Sequence, residues 1–111
     1  MPPFKYFSDT EIKNLNLKLV QMLELAREYA QVPFIINSGF RTPKHNAEVG
    51  GVPDSAHLKG LAVDLKCETN QIRFIMLWTL LQAGFKRIEI SKKHIHVDID
   101  DTKPQSIVWL A

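Results

Sequence analysis

Two short stretches of the sequence carry side chains that could bind a metal. His57 and Asp64 lie seven positions apart with Gly60 between them, and the segment 94–98 (HIHVD) follows near the C-terminus. Gly60 permits a sharp bend, so the His57 imidazole can fold back towards Asp64. A carboxylate in an apolar strand is costly unless it is paired or bound to a metal. His57, Asp64 and His96 therefore form a candidate metal site, with a structural buried acid as the alternative for Asp64.

This set of ligands favours hydrolytic chemistry. Three protein ligands on zinc leave a fourth position for water, as in catalytic zinc sites. Bound zinc lowers the pKa of that water to about 7, and a nearby carboxylate can then transfer its proton. Arg41 could polarise a carbonyl or hold a substrate carboxylate, with a solvated surface charge as the alternative. A non-haem iron triad would need a further histidine downstream, and none follows His96.

The ligands require strands to position them. Residues 62–65 (AVDL) read as a buried strand around Asp64. Residues 87–90 (RIEI) and 94–100 (HIHVDID) read as two alternating strands. In the second of these, Ile95, Val97 and Ile99 share one face, whereas the polar side chains share the other, namely His94, His96, Asp98 and Asp100.

The turn between these two strands predicts their register. If Lys92 and Lys93 form a two-residue hairpin loop, Glu89 lies directly opposite His96 on the same face. Their Cβ atoms would then be about 4.5–5.5 Å apart. A three-residue loop would break this pairing. The register makes Glu89 a candidate general base.

Two main helices are expected besides the strands. Ser8 and Glu11 form a capping box, and apolar residues at helical spacing from Ile12 to Ala30 predict an amphipathic helix of five or six turns. Pro33 ends it. A short buried strand follows at 34–37.

Two further helices follow from their capping signals. Thr42 before a proline predicts a short helix over 43–48, and an irregular loop then leads to the first histidine of the site. Thr69 or Asn70 can cap a second long helix that ends at Gly84. We interpret Met76 and Trp78 on this helix as packing residues.

Composition limits the classes of protein. The chain has 111 residues, 45% of them hydrophobic, which predicts one domain (1–111) with a modest core. The net charge of +2 is too small and too scattered to indicate a nucleic-acid partner. The single cysteine excludes an internal disulfide. The absence of a leader-like or membrane-spanning run predicts a soluble cytosolic product, and we expect a monomer.

Four motifs together resemble a known family. They are SGFR (38–41), NAEVGG (46–51), SxHxxGxAxD (55–64) and HxHxD (94–98), and in this order they resemble the zinc D-Ala-D-Ala carboxypeptidase family. That family also contains phage and bacterial peptidoglycan endopeptidases. The resemblance implies an α+β fold in which a small antiparallel sheet carries the zinc site and two main helices flank it. The Hedgehog signalling domain shares this fold.

The resemblance also implies roles for particular residues. One zinc per chain would be bound by His57, Asp64 and His96, with Arg41 stabilising the scissile carbonyl. Ser55 and His94 would support the site and contact substrate.

One position departs from the family pattern. Many members carry an acid three residues before the last zinc histidine, where this chain has Lys93. A lysine ammonium cannot accept a proton at neutral pH, so the general base must lie elsewhere. Glu89 is the first candidate from the hairpin register. Asp98 is the second, although the motif suggests that Asp98 orients His96.

The sequence thus predicts a zinc metallopeptidase that hydrolyses peptidoglycan stem peptides or cross-links. A phage lytic or virion-associated enzyme, or a bacterial protein acting on the wall, fits this prediction. A catalytically inactive module that keeps the zinc and binds wall peptides is the main alternative, suggested by Lys93. A different metalloenzyme, such as an oxygenase, is the third.

Overall fold

The computed structural model describes residues 4–111 and combines a five-stranded sheet with helices, which confirms the predicted α+β class. In chain order the elements are α1 (Leu17–Ala30), β1 (Ile36–Ser38), α2 (Pro43–Glu48), a 3₁₀ helix (Ala56–Lys59), β2 (Ala62–Lys66), α3 (Asn70–Gln82), β3 (Arg87–Ile90), β4 (His94–Asp98) and β5 (Ile107–Leu110).

The sheet is mostly antiparallel, with strand order β1-β2-β4-β3-β5. β1 pairs with β2, β2 with β4, and β4 with β3, all antiparallel, whereas β5 pairs with β3 in parallel. The sequence analysis did not predict β5. This strand is short, and it exposes two large apolar side chains, Val108 (48%) and Leu110 (79%), so it lacks the polar–apolar alternation of a half-buried strand.

The β3–β4 hairpin has the predicted register. Glu89 is paired with His96 and Ile90 with Ile95, and the Ser91 N–H donates to the His94 carbonyl (3.1 Å). Lys92 and Lys93 form the turn. Glu89 and His96 therefore lie opposite each other on one face of the sheet.

The first helix begins later than predicted. The capping box forms, since the Ser8 N–H donates to Glu11 Oε1 (2.9 Å) and the Glu11 N–H donates to Ser8 Oγ (3.2 Å), but it closes only a turn. Asn14 adopts a left-handed conformation (φ 64°), which interrupts any helix there. Asn16 is the actual N-cap, and α1 has 14 residues. The prediction of five or six turns from residue 12 is therefore wrong.

The other elements follow their local signals closely. Thr42 caps α2 at the predicted bounds, and Thr69 caps α3, with Gly84 in a positive-φ conformation (103°) just past its end. β1 begins two residues later than the predicted strand, and Phe34 before it is buried in the core. Met76 is buried as expected, whereas Trp78 remains 56% exposed.

Both long helices cover one face of the sheet. The core joins Leu19, Leu23 and Ala26 of α1 and Met76 and Leu80 of α3 to alternate sheet residues, namely Val63, Leu65, Ile88, Ile95 and Val97. Successive strand residues point to opposite faces, so the polar residues between them lie on the other side of the sheet. In the described part of the chain, 4–111, no helix is both long and apolar enough to cross a membrane.

Candidate metal centre

One row of side chains crosses all five strands on the face that the helices leave open. Strand pairing joins Ser38 to Asp64, Asp64 to His96, His96 to Glu89 and Glu89 to Trp109. Paired residues on neighbouring strands lie on the same face of a sheet, with their side chains adjacent. The sheet register alone therefore brings three of the predicted site residues side by side.

His57 enters this row from the 3₁₀ helix before β2. Ser55 caps that helix, and its hydroxyl accepts the His57 backbone N–H (3.2 Å). Gly60 ends it in a left-handed conformation (φ 70°), and a Cβ at this position would collide with the Asn14 carbonyl. Glycine is thus required at the bend that directs the chain from His57 into β2.

The ring orientation of His57 is set by the backbone. Its Nδ1 lies 2.7 Å from the Gly39 carbonyl oxygen, which can only accept, so Nδ1 carries the proton. Nε2 is then the nitrogen available to a metal, and it lies 3.3 Å from Asp64 Oδ1. A backbone carbonyl on one nitrogen and a free lone pair on the other is the usual arrangement of a metal-binding histidine.

Asp64 Oδ1 is the point where the two imidazoles meet. His57 Nε2 lies 3.3 Å from this oxygen and His96 Nδ1 lies 3.0 Å from it. One ligand atom from each of the three residues lies within 4.8 Å of the others. Two imidazole nitrogens and one carboxylate oxygen at this spacing are a donor set that suits zinc.

Asp98 holds the far side of the His96 ring. Its Oδ2 accepts from His96 Nε2 (2.7 Å), while its Oδ1 accepts from Arg87 Nε (2.7 Å) and from the Asp100 backbone N–H (3.1 Å). Asp98 and Arg87 are both buried. The carboxylate thus fixes the His96 ring so that Nδ1 faces Asp64 and His57.

The charges in this cluster are strongly coupled. Burial opposes the ionised form of Asp64, but hydrogen bonds and attraction from His57 and His96 outweigh it, and the pKa of this carboxyl lies well below its usual range. Burial likewise opposes the charged form of His96, yet the carboxylates of Asp64 and Asp98 raise its pKa to about 9. A metal cation would take the place of the proton that these carboxylates stabilise.

Arg41 lies at the edge of the cluster and uses each of its guanidinium nitrogens. Nε donates to Ser38 Oγ (3.1 Å), Nη1 to Asn46 Oδ1 (3.3 Å) and Nη2 to Asp64 Oδ2 (3.3 Å). The predicted site residue is therefore at the site. Its contact with Asp64 is made to Oδ2, the oxygen that the two histidines leave free.

The cluster opens into a cleft of about 530 Å³. All the residues that the sequence analysis proposed for the site line this cleft, namely Arg41, Ser55, His57, Asp64, Glu89, His94, His96 and Asp98. Ser55 helps to position His57, because its hydroxyl oxygen accepts the His57 backbone N–H. Lys93 does not line it and borders a different cleft beside Arg73.

Three residues at the site were given no role in the sequence analysis. Arg87 holds Asp98, the buried Asn46 links Arg41 to the Val52 carbonyl (2.8 Å), and the Trp109 indole N–H donates to Glu89 Oε2 (2.8 Å). Arg87 shares the polar face of β3 with Glu89, so the alternation contained a signal for it. Trp109 had no such signal, because β5 was not recognised.

Comparisons with known proteins agree with this architecture. A sequence profile of the Peptidase M15 family matches residues 6–98. Curated protein sequences gave no significant match. Among solved structures, the fold is similar to that of the L-Ala D-Glu endopeptidase ChiX of Serratia marcescens, with a TM-score of 0.66 and 21% sequence identity. The aligned region covers 88% of this chain and 90% of ChiX.

Proposed function

Since the chain belongs to the Peptidase M15 family, we propose that it is a zinc-dependent peptidase that hydrolyses peptide bonds in peptidoglycan. The observation that carries the proposal is the meeting of His57 Nε2, Asp64 Oδ1 and His96 Nδ1 beside a glutamate in one cleft. This arrangement supplies metal ligands and a general base together.

The three residues would hold one zinc per chain. His57 and His96 would each ligate through the nitrogen that faces Asp64, since Gly39 and Asp98 occupy their other ring nitrogens. When bound, zinc supplies Lewis acidity, which polarises a carbonyl and makes water a better nucleophile at neutral pH.

Glu89 is the residue best suited to accept the proton of the attacking water. It lies opposite His96, and its Oε2 accepts from Trp109 while Oε1 makes no hydrogen bond within residues 4–111. An acceptor beside the ligands can take a proton and return it to the leaving amine. Asp98 is less suited, because His96 and Arg87 engage both of its oxygens.

Arg41 is suited to substrate as well as to Asp64. Each terminal guanidinium nitrogen carries two hydrogens and makes one contact within the described chain, so donors remain for a carbonyl or carboxylate of the substrate. Its Nε and Nη1 contacts fix the plane of the guanidinium. The cleft could thus hold an anionic peptide through oriented, charge-assisted hydrogen bonds.

The position of Lys93 does not favour an inactive binding module over an active enzyme. This residue belongs to the hairpin turn and borders another cleft, and its carbonyl accepts the Cys67 N–H (2.8 Å). A carboxylate at position 93 would not be needed if Glu89, on β3, serves as the general base. The lysine therefore does not by itself argue for loss of hydrolysis.

Peptidoglycan stem peptides are the substrates that we propose. Stem peptides contain carboxylates that Arg41 could engage, and the structural relative ChiX is named as an L-Ala D-Glu endopeptidase. A monomer suffices for this reaction, because the residues of the cleft at the candidate metal site all come from one chain.

The proposal can be tested with purified peptidoglycan. The zinc-loaded protein should release peptide fragments whose masses identify the bond that is cleaved. The zinc-loaded Glu89→Gln variant serves as the control and should release far fewer. If the parent binds zinc and wall peptides but releases no fragment, the binding-module alternative is correct.

A further inference from the structure

Trp109 closes the row of site residues at the edge of the sheet. It lies on β5, directly beside Glu89 on β3, and its indole N–H donates to Glu89 Oε2 at 2.8 Å. Its ring centroid is 6.0 Å from that of His96. Trp109 also lines the cleft. The tryptophan therefore contacts the candidate base and flanks a candidate ligand.

The Trp109 ring is itself fixed by Arg87. The guanidinium carbon of Arg87 lies 4.9 Å from the centre of the ring, in a cation–π arrangement, and its Nη1 donates to the Pro104 carbonyl (2.6 Å). The same guanidinium holds Asp98 through Nε. A closed set of contacts thus runs from His96 through Asp98, Arg87 and Trp109 to Glu89, which is paired with His96.

This closed set joins two carboxylates with different tasks. Asp98 has both oxygens engaged and turns towards the imidazole, whereas Glu89 has one oxygen engaged and one open to the cleft. A glutamate side chain has several rotamers, and a base is effective only when it is held within reach of the proton that it accepts. The indole N–H limits those rotamers.

We propose that Trp109 is a positioning residue that holds the Glu89 carboxylate in its catalytic orientation. This inference rests on the proposed function, in which Glu89 is the general base. It assigns a catalytic purpose to β5, a strand that contributes neither a ligand nor a base. Trp109 acts through Glu89 and does not itself take part in proton transfer.

Trp109→Phe tests the proposal because phenylalanine keeps an aromatic ring for Arg87 and removes only the N–H and part of the ring. We expect kcat to fall about 10- to 100-fold, with KM within about twofold and full zinc content. Trp78→Phe is the matched control, since Trp78 is exposed on α3, and it should leave kcat unchanged. Parental kcat in a folded Trp109→Phe variant would overturn the proposal.

A double-mutant cycle separates positioning from a general structural role. If Trp109 acts only through Glu89, Trp109→Phe should cause no further loss in a Glu89→Gln background. If the two losses multiply instead, Trp109 acts independently of Glu89 and the proposal is wrong.

The contact between Trp109 and Glu89 can also be tested through the indole N–H signals in a proton–nitrogen NMR spectrum. This measurement needs neither activity nor a substitution of Trp109. The protein has two tryptophans, so two signals are expected. Glu89→Gln should move the Trp109 signal upfield, because a neutral amide oxygen is a weaker acceptor than a carboxylate, and should leave the Trp78 signal in place. An unmoved Trp109 signal would refute the contact. If the signal moves but the parent protein cuts no peptidoglycan, the contact between Trp109 and Glu89 is supported and the proposed function is wrong.

Discussion

Oδ2 of Asp98 lies 2.7 Å from Nε2 of His96, and the other oxygen of the same carboxylate is held by Arg87 at 2.7 Å. Asp98 is thus fully engaged in orienting an imidazole, on the side of the ring away from Asp64 and His57. Glu89, opposite His96 on the neighbouring strand, keeps one oxygen open to the cleft. The two acids that the sequence left as alternatives for the general base have different surroundings, and these surroundings predict different phenotypes.

Replacing Glu89 should slow the chemistry and spare the metal. Glu89→Gln is nearly isosteric and keeps an oxygen for Trp109, so we expect the fold and one zinc per chain to be retained. The rate of peptide hydrolysis should fall by about 10²–10⁴, the usual loss on removing a general base. Steady-state kinetics and zinc analysis on the same sample provide the measurement. A variant with parental activity would exclude Glu89 as the base.

Replacing Asp98 should affect the metal first. In Asp98→Asn the His96 ring loses its anionic partner, and zinc affinity should fall about 10- to 100-fold. Competition with a chelator measures this affinity, with circular dichroism to confirm the fold, because Arg87 also loses a buried counter-charge. An Asp98→Asn variant that is inactive yet binds zinc like the parent would transfer the base role to Asp98.

The part of the site that sequence could predict depends on local patterns. Strict alternation in 94–98 and a two-residue turn sufficed to pair Glu89 with His96, and Gly60 sufficed to bring His57 back to Asp64. Each of these relationships joins residues close in sequence. They need only the strand period and one turn, both of which side-chain types reveal directly.

The errors arose where distant segments decide the structure. Ser8 carries a valid capping box, yet α1 starts at Leu17, because the Asn16 N–H donates to the Gly60 carbonyl (2.9 Å) and the intervening Asn14 turns to positive φ. Trp109 likewise reaches Glu89 through a parallel pairing between strands separated by β4. Tertiary contacts of this kind leave no periodic signal in the segments that make them.

Zinc binding should depend on both histidines at the centre. His57→Ala or His96→Ala should each abolish stoichiometric zinc, measured by elemental analysis after dialysis. His45→Ala is the control, since this histidine is exposed on α2, and it should bind one zinc. Zinc that binds only the folded state stabilises it by about 2.7 kcal/mol when the free zinc concentration is 100 times Kd. A chelator should therefore lower the Tm of the parent and of the control, and leave the Tm of the two site variants unchanged. Full occupancy in either site variant would remove that residue from the ligand set.

The guanidinium of Arg41 should not be replaceable by an ammonium. Arg41 reaches Ser38, Asn46 and Asp64 through three different nitrogens, and a lysine amine cannot span these acceptors. We expect Arg41→Lys to retain zinc and to lose activity by about tenfold or more, as for other oriented donors at an active site. Arg27→Lys, on α1, is the control for a general effect of the exchange. Equal activity in Arg41→Lys and the parent would show that the guanidinium of Arg41 has no catalytic role.

Asp100 should contribute to stability in a pH-dependent way that is separate from the metal. It is fully buried, and although burial opposes its ionised form, hydrogen bonds from Thr102 and Lys59 lower the pKa of its carboxyl from 3.8 to about 2. A carboxyl whose pKa is lower in the folded state stabilises the protein above its unfolded pKa and loses this effect as the pH falls. The shift corresponds to about 2 kcal/mol, which is present above about pH 5 and is lost progressively as the pH falls to about 1.

The measurement compares urea unfolding of the metal-free parent and Asp100→Asn at pH 7 and pH 2.5. The variant should be less stable by about 2 kcal/mol at pH 7, and the difference should shrink to about 1 kcal/mol at pH 2.5. Asp101→Asn provides the control, because the neighbouring Asp101 is exposed and its replacement should change stability by no more than about 0.5 kcal/mol at either pH. A difference between parent and Asp100→Asn that stays constant across this range would mean that the Lys59 and Thr102 contacts do not act through the charge of Asp100.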